Sequence, residues 1–276
     1  LVFKYKEFDM KYWVIISLIF VNAFAEAKIS RRWKQRGGKA TYSRNWKSNY
    51  SSPSRDVPQI KCDLPATSAT GPVPSEVESS LKNLVAQAKS MGISPTAVRD
   101  TTNYYRENYA RLKNKCYFSI VDFNIVDTKN RFFIFDVKNG SIEAIKTSQG
   151  RGSDKNNDGF ADSFSNKSGS NASSLGFYET DTTYKGKHGV SLKLDGKSPG
   201  LNTNAKSRAV VIHSAAYVRG GGRSQGCFAL EENNLREVIG KLKNGALIYA
   251  YHRSLSNNDL NNQYAQADTE GNTGTL

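Results

Sequence analysis

From Ser75 onward apolar residues recur at the spacing of a helix. Val77, Leu81, Leu84, Val85, Ala88 and Met91 fall on one face. Ser75 and Glu78 in front of them read as a capping box. Ser94-Pro95 then opens a second helix in the order of cap followed by proline, with Val98, Tyr105, Tyr109 and Leu112 on its apolar side. At Cys116 the period changes to that of strands. Cys116 to Val126 reads as one; Arg131 to Val137 and Ser141 to Thr147 flank Asn139-Gly140, the strongest short-range hairpin signal. Further strands are predicted over Gly189 to Leu194, Arg208 to His213 and Ala246 to His252. Glu231 to Lys243 is helical by Leu235, Val238, Ile239 and Leu242, and Gly245 closes it.

The pattern predicts a helical pair over residues 75–113 packed on a mainly antiparallel domain over residues 114–253 with a long irregular middle. Long loops inside a compact domain tend to be functional. On either side the periodicity fails. Residues 28–74 are rich in Ser, Gly and Pro and read as a basic flexible linker, and residues 254–276 read as a disordered tail.

The first 27 residues read as an export signal whose true start is Met10. Met10-Lys11 precede an apolar run from Tyr12 to Val21 and then the small residues around Ala23 and Ala25. The run is about half of the ~20 residues needed to span a bilayer, so a permanent anchor is the weaker reading, and a buried N-terminal element is weaker still. The expectation is an exported protein of the periplasm or cell envelope.

The chain has 276 residues, 38% of them hydrophobic and 23% charged, enough for a sizeable core and against wholesale disorder. Its net charge of +14 would suit nucleic acid, an anionic membrane surface or another acidic polymer. The distribution narrows the choice: Lys28 to Lys61 holds ten Lys or Arg against one Asp. Behind an export signal such a segment points to anionic envelope polymers or to plain solubility. Nucleic acid drops out as a partner, and any membrane contact is electrostatic at most. The three cysteines, Cys62, Cys116 and Cys227, cannot all pair within one chain. Cys62 and Cys116 could pair in an oxidising compartment or both stay free.

Two residues carry the candidate chemistry. The apolar run Val210-Val211-Ile212 ends at His213, and fourteen positions later Arg223-Ser224-Gln225-Gly226 leads into Cys227. A thiolate is the nucleophilic form of cysteine, and imidazole is the usual base that generates it. A glycine in the turn lets backbone N–H groups face a developing oxyanion, and Arg223 could favour the thiolate. The ordinary reading, an inert buried cysteine and a structural histidine, stands beside this one on spacing alone. His188, His213, His252 and Cys227 lack metal-ligand spacing. His188 lies in a Gly-Lys-His-Gly turn that could line a cleft, while His252 reads as a packing or surface residue. Asp154, Asn156, Asp158 and Asp162 sit at positions 1, 3, 5 and 9 of a calcium-type loop, with Gly159 for the turn. Position 12 is Ser165 in place of glutamate, so a polar loop is the first reading and a weak calcium site the second. No cofactor motif is present.

Taken together, several stretches resemble the murein L,D-transpeptidase catalytic domain family. These are Phe164-Ser165-Asn166, Ser173-Ser174-Leu175-Gly176-Phe177-Tyr178, Tyr184-Lys185-Gly186-Lys187-His188-Gly189, Gly200-Leu201-Asn202, Arg208-Ala209-Val210-Val211-Ile212-His213 and Gly222-Arg223-Ser224-Gln225-Gly226-Cys227-Phe228-Ala229-Leu230. The branch resembled is the one whose cysteine motif reads Gly-Arg-Ser-x-Gly-Cys, and the resemblance runs from about Cys116 to Tyr251. It implies a β-sandwich-like fold with an edge cleft; the helical pair predicted from periodicity and a helix near the cysteine would pack on it. It also implies Cys227 as nucleophile, His213 as base, and Ser224 and Gly226 as their motif partners. Arg223, Gln225, His188, Lys187 and Ser174 become candidate substrate contacts. Where better-studied relatives carry a second histidine and an Asn or Arg, this chain has Gln225 and Ala229. The implied substrate is a peptidoglycan tetrapeptide stem, with an amine of another stem or of an envelope protein as acceptor. A monomer without cofactor suffices. An L,D-carboxypeptidase of the same stems, or an inactive peptidoglycan-binding envelope protein, are the alternatives.

Overall fold

The computed structural model describes residues 57–68 and 71–255, all within one compact unit, Arg55–Leu276. The export signal, most of the basic segment and the tail beyond residue 255 lie outside the described residues.

Helices α1 (Ser75–Ser90) and α2 (Pro95–Asn108) form as the apolar spacing predicts. Val77, Leu81, Leu84 and Ala88 of α1 are buried, but Val85 and Met91 are exposed. At 3.6 residues per turn those two fall at the margins of the stripe, which is narrower than the sequence suggests. The capping box does not form either. Pro74 is the N-cap and Ser75 is already helical, its carbonyl accepting a hydrogen bond from Ser79 Oγ at 2.9 Å. At α2 the Ser94-Pro95 start holds, and the Ser94 N–H donates to Asp122 Oδ2 at 2.9 Å.

Eight strands make one continuous sheet among the described residues: β1 (Tyr117–Asp122), β2 (Phe132–Asp136), β3 (Ser141–Ile145), β4 (Gly176–Gly186), β5 (Gly189–Gly196), β6 (Val211–Ser214), β7 (Phe228–Leu230) and β8 (Leu247–Tyr251). Their order is β3-β2-β1-β8-β4-β5-β6-β7. Pairing is antiparallel apart from β1 with β8 and β6 with β7. Just past β3, Thr147 bridges to Leu230 of β7 and its Oγ1 donates to the Ala229 carbonyl at 3.0 Å. The two edges therefore meet. Where the family resemblance implies a sandwich-like fold, the described strands run as one sheet curled into a near-closed barrel, which leaves few unpaired edges.

The sheet has a core on each face. Outside, Phe118, Ile120, Phe133, Phe135, Phe177, Tyr249 and Tyr251 pack against the buried faces of α1 and α2. Phe118 and Phe135 stack at 4.5 Å, and Tyr105 of α2 closes on Phe118 at 5.3 Å. Inside, Val121, Ile134, Tyr178, Leu192, Ile212, Phe228 and Ile248 meet Leu235, Val238, Ile239 and Leu242 of α3 (Glu232–Leu242). This is the helix expected shortly after Cys227.

Three further departures matter for the site. β4 has eleven residues and falls in the stretch read as irregular, because Glu179, Asp181 and a run of threonines mask its alternation. β6 begins at Val211 and not at Arg208, since residues 201–209 turn and Ala209 takes a positive φ of 52°. β7 has only three residues and is absent from the sequence pattern. Within the stretch read as linker, residues 57–68 are pinned down. The Ile60 N–H donates to the Gly240 carbonyl at 2.9 Å, Val57 is buried, and Cys62 is disulfide-bonded to Cys116.

Candidate active site

β6 delivers His213, which is 4% exposed. In the parallel register Ile212 faces Phe228 and His213 faces Ala229, so Cys227 enters β7 at the level of Val211. His213 Nδ1 lies 2.9 Å from the Ser214 carbonyl. A carbonyl only accepts, so Nδ1 carries the hydrogen and Nε2 is left as the basic nitrogen. Burial holds the imidazole below its usual pKa; the Ser214 carbonyl opposes this, and the charges of His188 and Lys187 add to it. His188 is exposed at the two-residue tip between β4 and β5, yet its ring stacks on His213 with centroids 4.5 Å apart.

The turn before Cys227 demands its glycine. Gly226 has φ +111°, and a Cβ there would meet the Ala172 carbonyl oxygen at 2.6 Å and Arg208 Nη2 at 3.0 Å. Ser224 is buried inside the turn: its Oγ accepts the Gly226 N–H at 3.0 Å and donates to the Cys227 carbonyl at 2.8 Å. The barrel closure fixes the turn from behind. The Ser224 N–H donates to the Gln149 carbonyl at 2.8 Å and the Arg151 N–H to the Ser224 carbonyl at 2.9 Å, continuing the bridge at Thr147.

Cys227 is the free cysteine among the described residues and is half-buried. Its Sγ lies 3.6 Å from the Ala209 carbonyl. Burial pushes the thiol pKa up, against the pull of the Val211 N–H and of Arg208 and Lys187. Burial thus works against the charged form of both groups. Arg208 is a residue that motif spacing did not single out. Its guanidinium donates to the Ser165 and Ala172 carbonyls at 2.8 and 2.5 Å and to Ser174 Oγ at 3.1 Å, beside Gly226. An arginine heading an apolar strand that ends in the histidine was the available signal.

The other candidates separate. Gln225 and Lys187 are exposed near the thiol turn and the hairpin tip. Ser174 is buried and bonds Tyr178 Oη at 2.7 Å, so it organises Arg208 and offers no surface to a ligand. The Tyr178 phenol is pushed up to about 12, chiefly by burial. Arg223 does not reach toward the thiol; its Nη1 donates to the Asp154 carbonyl, while Arg208 and Lys187 supply the positive field at Cys227.

Asp154 belongs to a second unforeseen feature. Gln149 is fully buried; its amide nitrogen donates to Asp154 Oδ2 at 2.8 Å and Asp127 Oδ2 at 3.2 Å, and its amide oxygen accepts from Arg131 Nη2. This polar set lies directly behind the Ser224 turn. Asp154 also opens the loop read as a weak calcium candidate. Asp154 accepts the Asp158 and Gly159 N–H groups at 3.1 and 3.2 Å, and Asp158 accepts from Asn156 Nδ2 and the Phe160 N–H at 2.8 and 2.9 Å. Asp162 is exposed, with its N–H on the Ser153 carbonyl. The carboxylates are turned to their own loop, and among the described residues no group of three or more His, Cys, Asp or Glu is placed to hold a metal ion. His252 is a packing residue, 9% exposed, against Phe164 at 5.0 Å and paired with Ser254 Oγ at 2.9 Å.

The family profile described as the L,D-transpeptidase catalytic domain matches residues 89–251. The chain belongs to this family. The matched span of the L,D-transpeptidase domain takes in α2, every strand and α3. Among solved structures it is similar to an L,D-transpeptidase from Mycobacterium smegmatis, at 12% identity and TM-score 0.33, covering 50% of this chain and 59% of that one. Similar too is an L,D-transpeptidase from Mycobacterium tuberculosis, at 11% identity and TM-score 0.34, covering 50% and 58%. One from Xylanimonas cellulosilytica has 12% identity and TM-score 0.31, covering 70% of this chain and 99% of that one. The chain thus spans less than two thirds of the length of the first two. No curated protein matches.

Proposed function

We propose that this chain is a cysteine L,D-transpeptidase acting on peptidoglycan tetrapeptide stems through a thioester. The observation that carries the reading is the parallel pairing of β6 and β7, with His213 beside Ala229 and Cys227 immediately before β7, two residues ahead of Ala229. Pleat alternation carries Cys227 on the same side as Ala229 and His213.

Because burial disfavours charge on both groups, proton transfer accompanies attack in this mechanism. Cys227 attacks the carbonyl of the L-centre of the third-position diamino acid while its proton passes to His213 Nε2. The C–S bond forms, the tetrahedral oxyanion collapses, and His213 returns the proton to the leaving amine of D-Ala. Because the Gly226 N–H is already held by Ser224 Oγ, the Cys227 N–H is the donor we assign to the oxyanion. One such donor is worth about 3 kcal/mol of barrier. Ser224 thus positions the turn and does not itself bind the oxyanion. An amine from a neighbouring stem, or from an envelope protein, then attacks the thioester, restoring the thiol and making the new amide. Lys187 at the β4–β5 tip, with Gln225, faces the incoming stem; Lys187 is an exposed cation suited to a carboxylate. The Cys62–Cys116 disulfide suits an oxidising compartment and supports export to the periplasm or envelope. There the basic segment would hold a monomeric enzyme to the anionic wall.

Mass analysis of products from purified disaccharide-tetrapeptide tests this. Cross-linked dimer and free D-Ala are expected, both lost in Cys227→Ala. Tripeptide without dimer would replace transpeptidation by L,D-carboxypeptidation, and equal turnover by the alanine variant would overturn the whole assignment.

A further inference from the structure

Among the described residues His213 is hydrogen-bonded through Nδ1, and the acceptor is the carbonyl of the next residue, Ser214. That bond restrains rotation of the ring about Cβ–Cγ only as firmly as one contact with the neighbouring backbone can. The second restraint comes from a different part of the chain. Gly186 pairs with Gly189, so Lys187 and His188 form the tip of the β4–β5 hairpin, and Gly189 takes φ +80° to close it. That tip lays the His188 ring on the His213 ring at 4.5 Å with 25° between planes.

We propose that His188 is a positioning residue of the reaction: by lying face to face on His213 it fixes the plane of the base, so that Nε2 is presented to the Cys227 thiol. The inference rests on the function proposed above and deepens it. The stack also shields His213 from water. The titratable or charged groups bearing on His213 are Lys187 and His188 from the hairpin tip. Cys227 enters β7 beside it, and Lys187 and Arg208 bear in turn on the thiol. When His213 takes the thiol proton, the face of the His188 ring lies against the imidazolium that forms. A phenyl ring would supply the same face and the same cover, whereas a flexible amide would supply neither.

The test is acylation by a carbapenem-type agent, followed across pH and agent concentration, in wild type, His188→Ala, His188→Gln and His188→Phe. The Ala and Gln variants should acylate roughly 10- to 100-fold more slowly at neutral pH, as expected for a misoriented base. Their acid limb should move to higher pH, because His213 gains water once the covering ring is gone. The loss should fall on the maximal rate and not on half-saturation. His188→Phe should keep the wild-type rate and acid limb. An alanine variant with wild-type rate and acid limb overturns the proposal, as does a phenylalanine variant that falls with the others. If the alanine variant fails to fold, the Gln and Phe pair decides alone, equal rates overturning it. Failure of the underlying reading looks different: wild type would then be unreactive, or Cys227→Ala as reactive as wild type.

Discussion

The two ends of the sheet are built on opposite plans. Around β1, β2, β8 and the start of β4, five- and six-residue strands carry apolar side chains on both faces and are covered by α1 and α2. Around β6 and β7 the strands have four and three residues, and the chain between them is a short 3-10 turn and a glycine-rich loop. The first end is held by area, through Phe118, Phe135, Phe177 and Tyr249. The second is held by particular hydrogen bonds: Ser224 with Gln149, Gly226 and Cys227, and Gln149 with Asp127, Asp154 and Arg131. Apolar burial is non-directional and tolerates small shifts, whereas a hydrogen-bonded turn places one atom, the Cys227 sulfur. Substitutions at the two ends should therefore part stability from reactivity.

The largest effect is expected at the bonded end. His213→Ala removes the base and should slow acylation at neutral pH by about 10²- to 10⁴-fold, with the deficit shrinking at high pH where the thiol ionises unaided. A deficit constant with pH would remove His213 from the mechanism. At the apolar end, Leu81→Ala should lower stability by about 2–5 kcal/mol in a denaturant melt while leaving the acylation rate of the folded fraction unchanged. Between these lies Ser224→Ala, which leaves the buried Gly226 N–H without its acceptor. We expect a loss of about 1–3 kcal/mol together with slower acylation; a stable, fully reactive variant would dissolve the contrast between the two ends.

A smaller effect concerns pH. With the His213 pKa lowered in the fold, the unfolded chain binds a proton below about pH 6.5 that the folded chain refuses. Stability should then fall as pH drops through that window, and His213→Gln should flatten the slope. The smallest effect is at Val85, exposed on α1, where Val85→Ala should change stability by no more than about 0.5 kcal/mol. A large loss there would mean that another surface covers this face.

Much of the apolar end was legible in the chain. Leu81, Leu84, Tyr105 and Tyr109 recur at 3.6, and Asn139-Gly140 turns where a hairpin requires it. β4 escaped because Glu179, Asp181 and Thr182 interrupt its alternation, and β7 because three residues make no period. At the site, Cys227, His213 and the need for Gly226 were readable from residue type. Arg208 and Gln149 were not, since each acts through backbone carbonyls or a polar cluster assembled from segments tens of residues apart. Val85 and Met91 show the converse: helical spacing marks a face but does not say how wide a neighbour will cover it.

The order of residues alone determined the mainly β class with its helices and the family to which the matched span belongs, and it marked Cys227 and His213 as the candidate pair, because periodicity, turn chemistry and reactive groups are local properties. Only the tertiary structure decided that β3 and β7 meet to close the sheet, that Gln149 and Arg208 back the turn before Cys227, that Cys62 reaches Cys116, and that His188 lies on His213. Those contacts join distant segments through hydrogen bonds and packing, and no local pattern records which segments will be brought together.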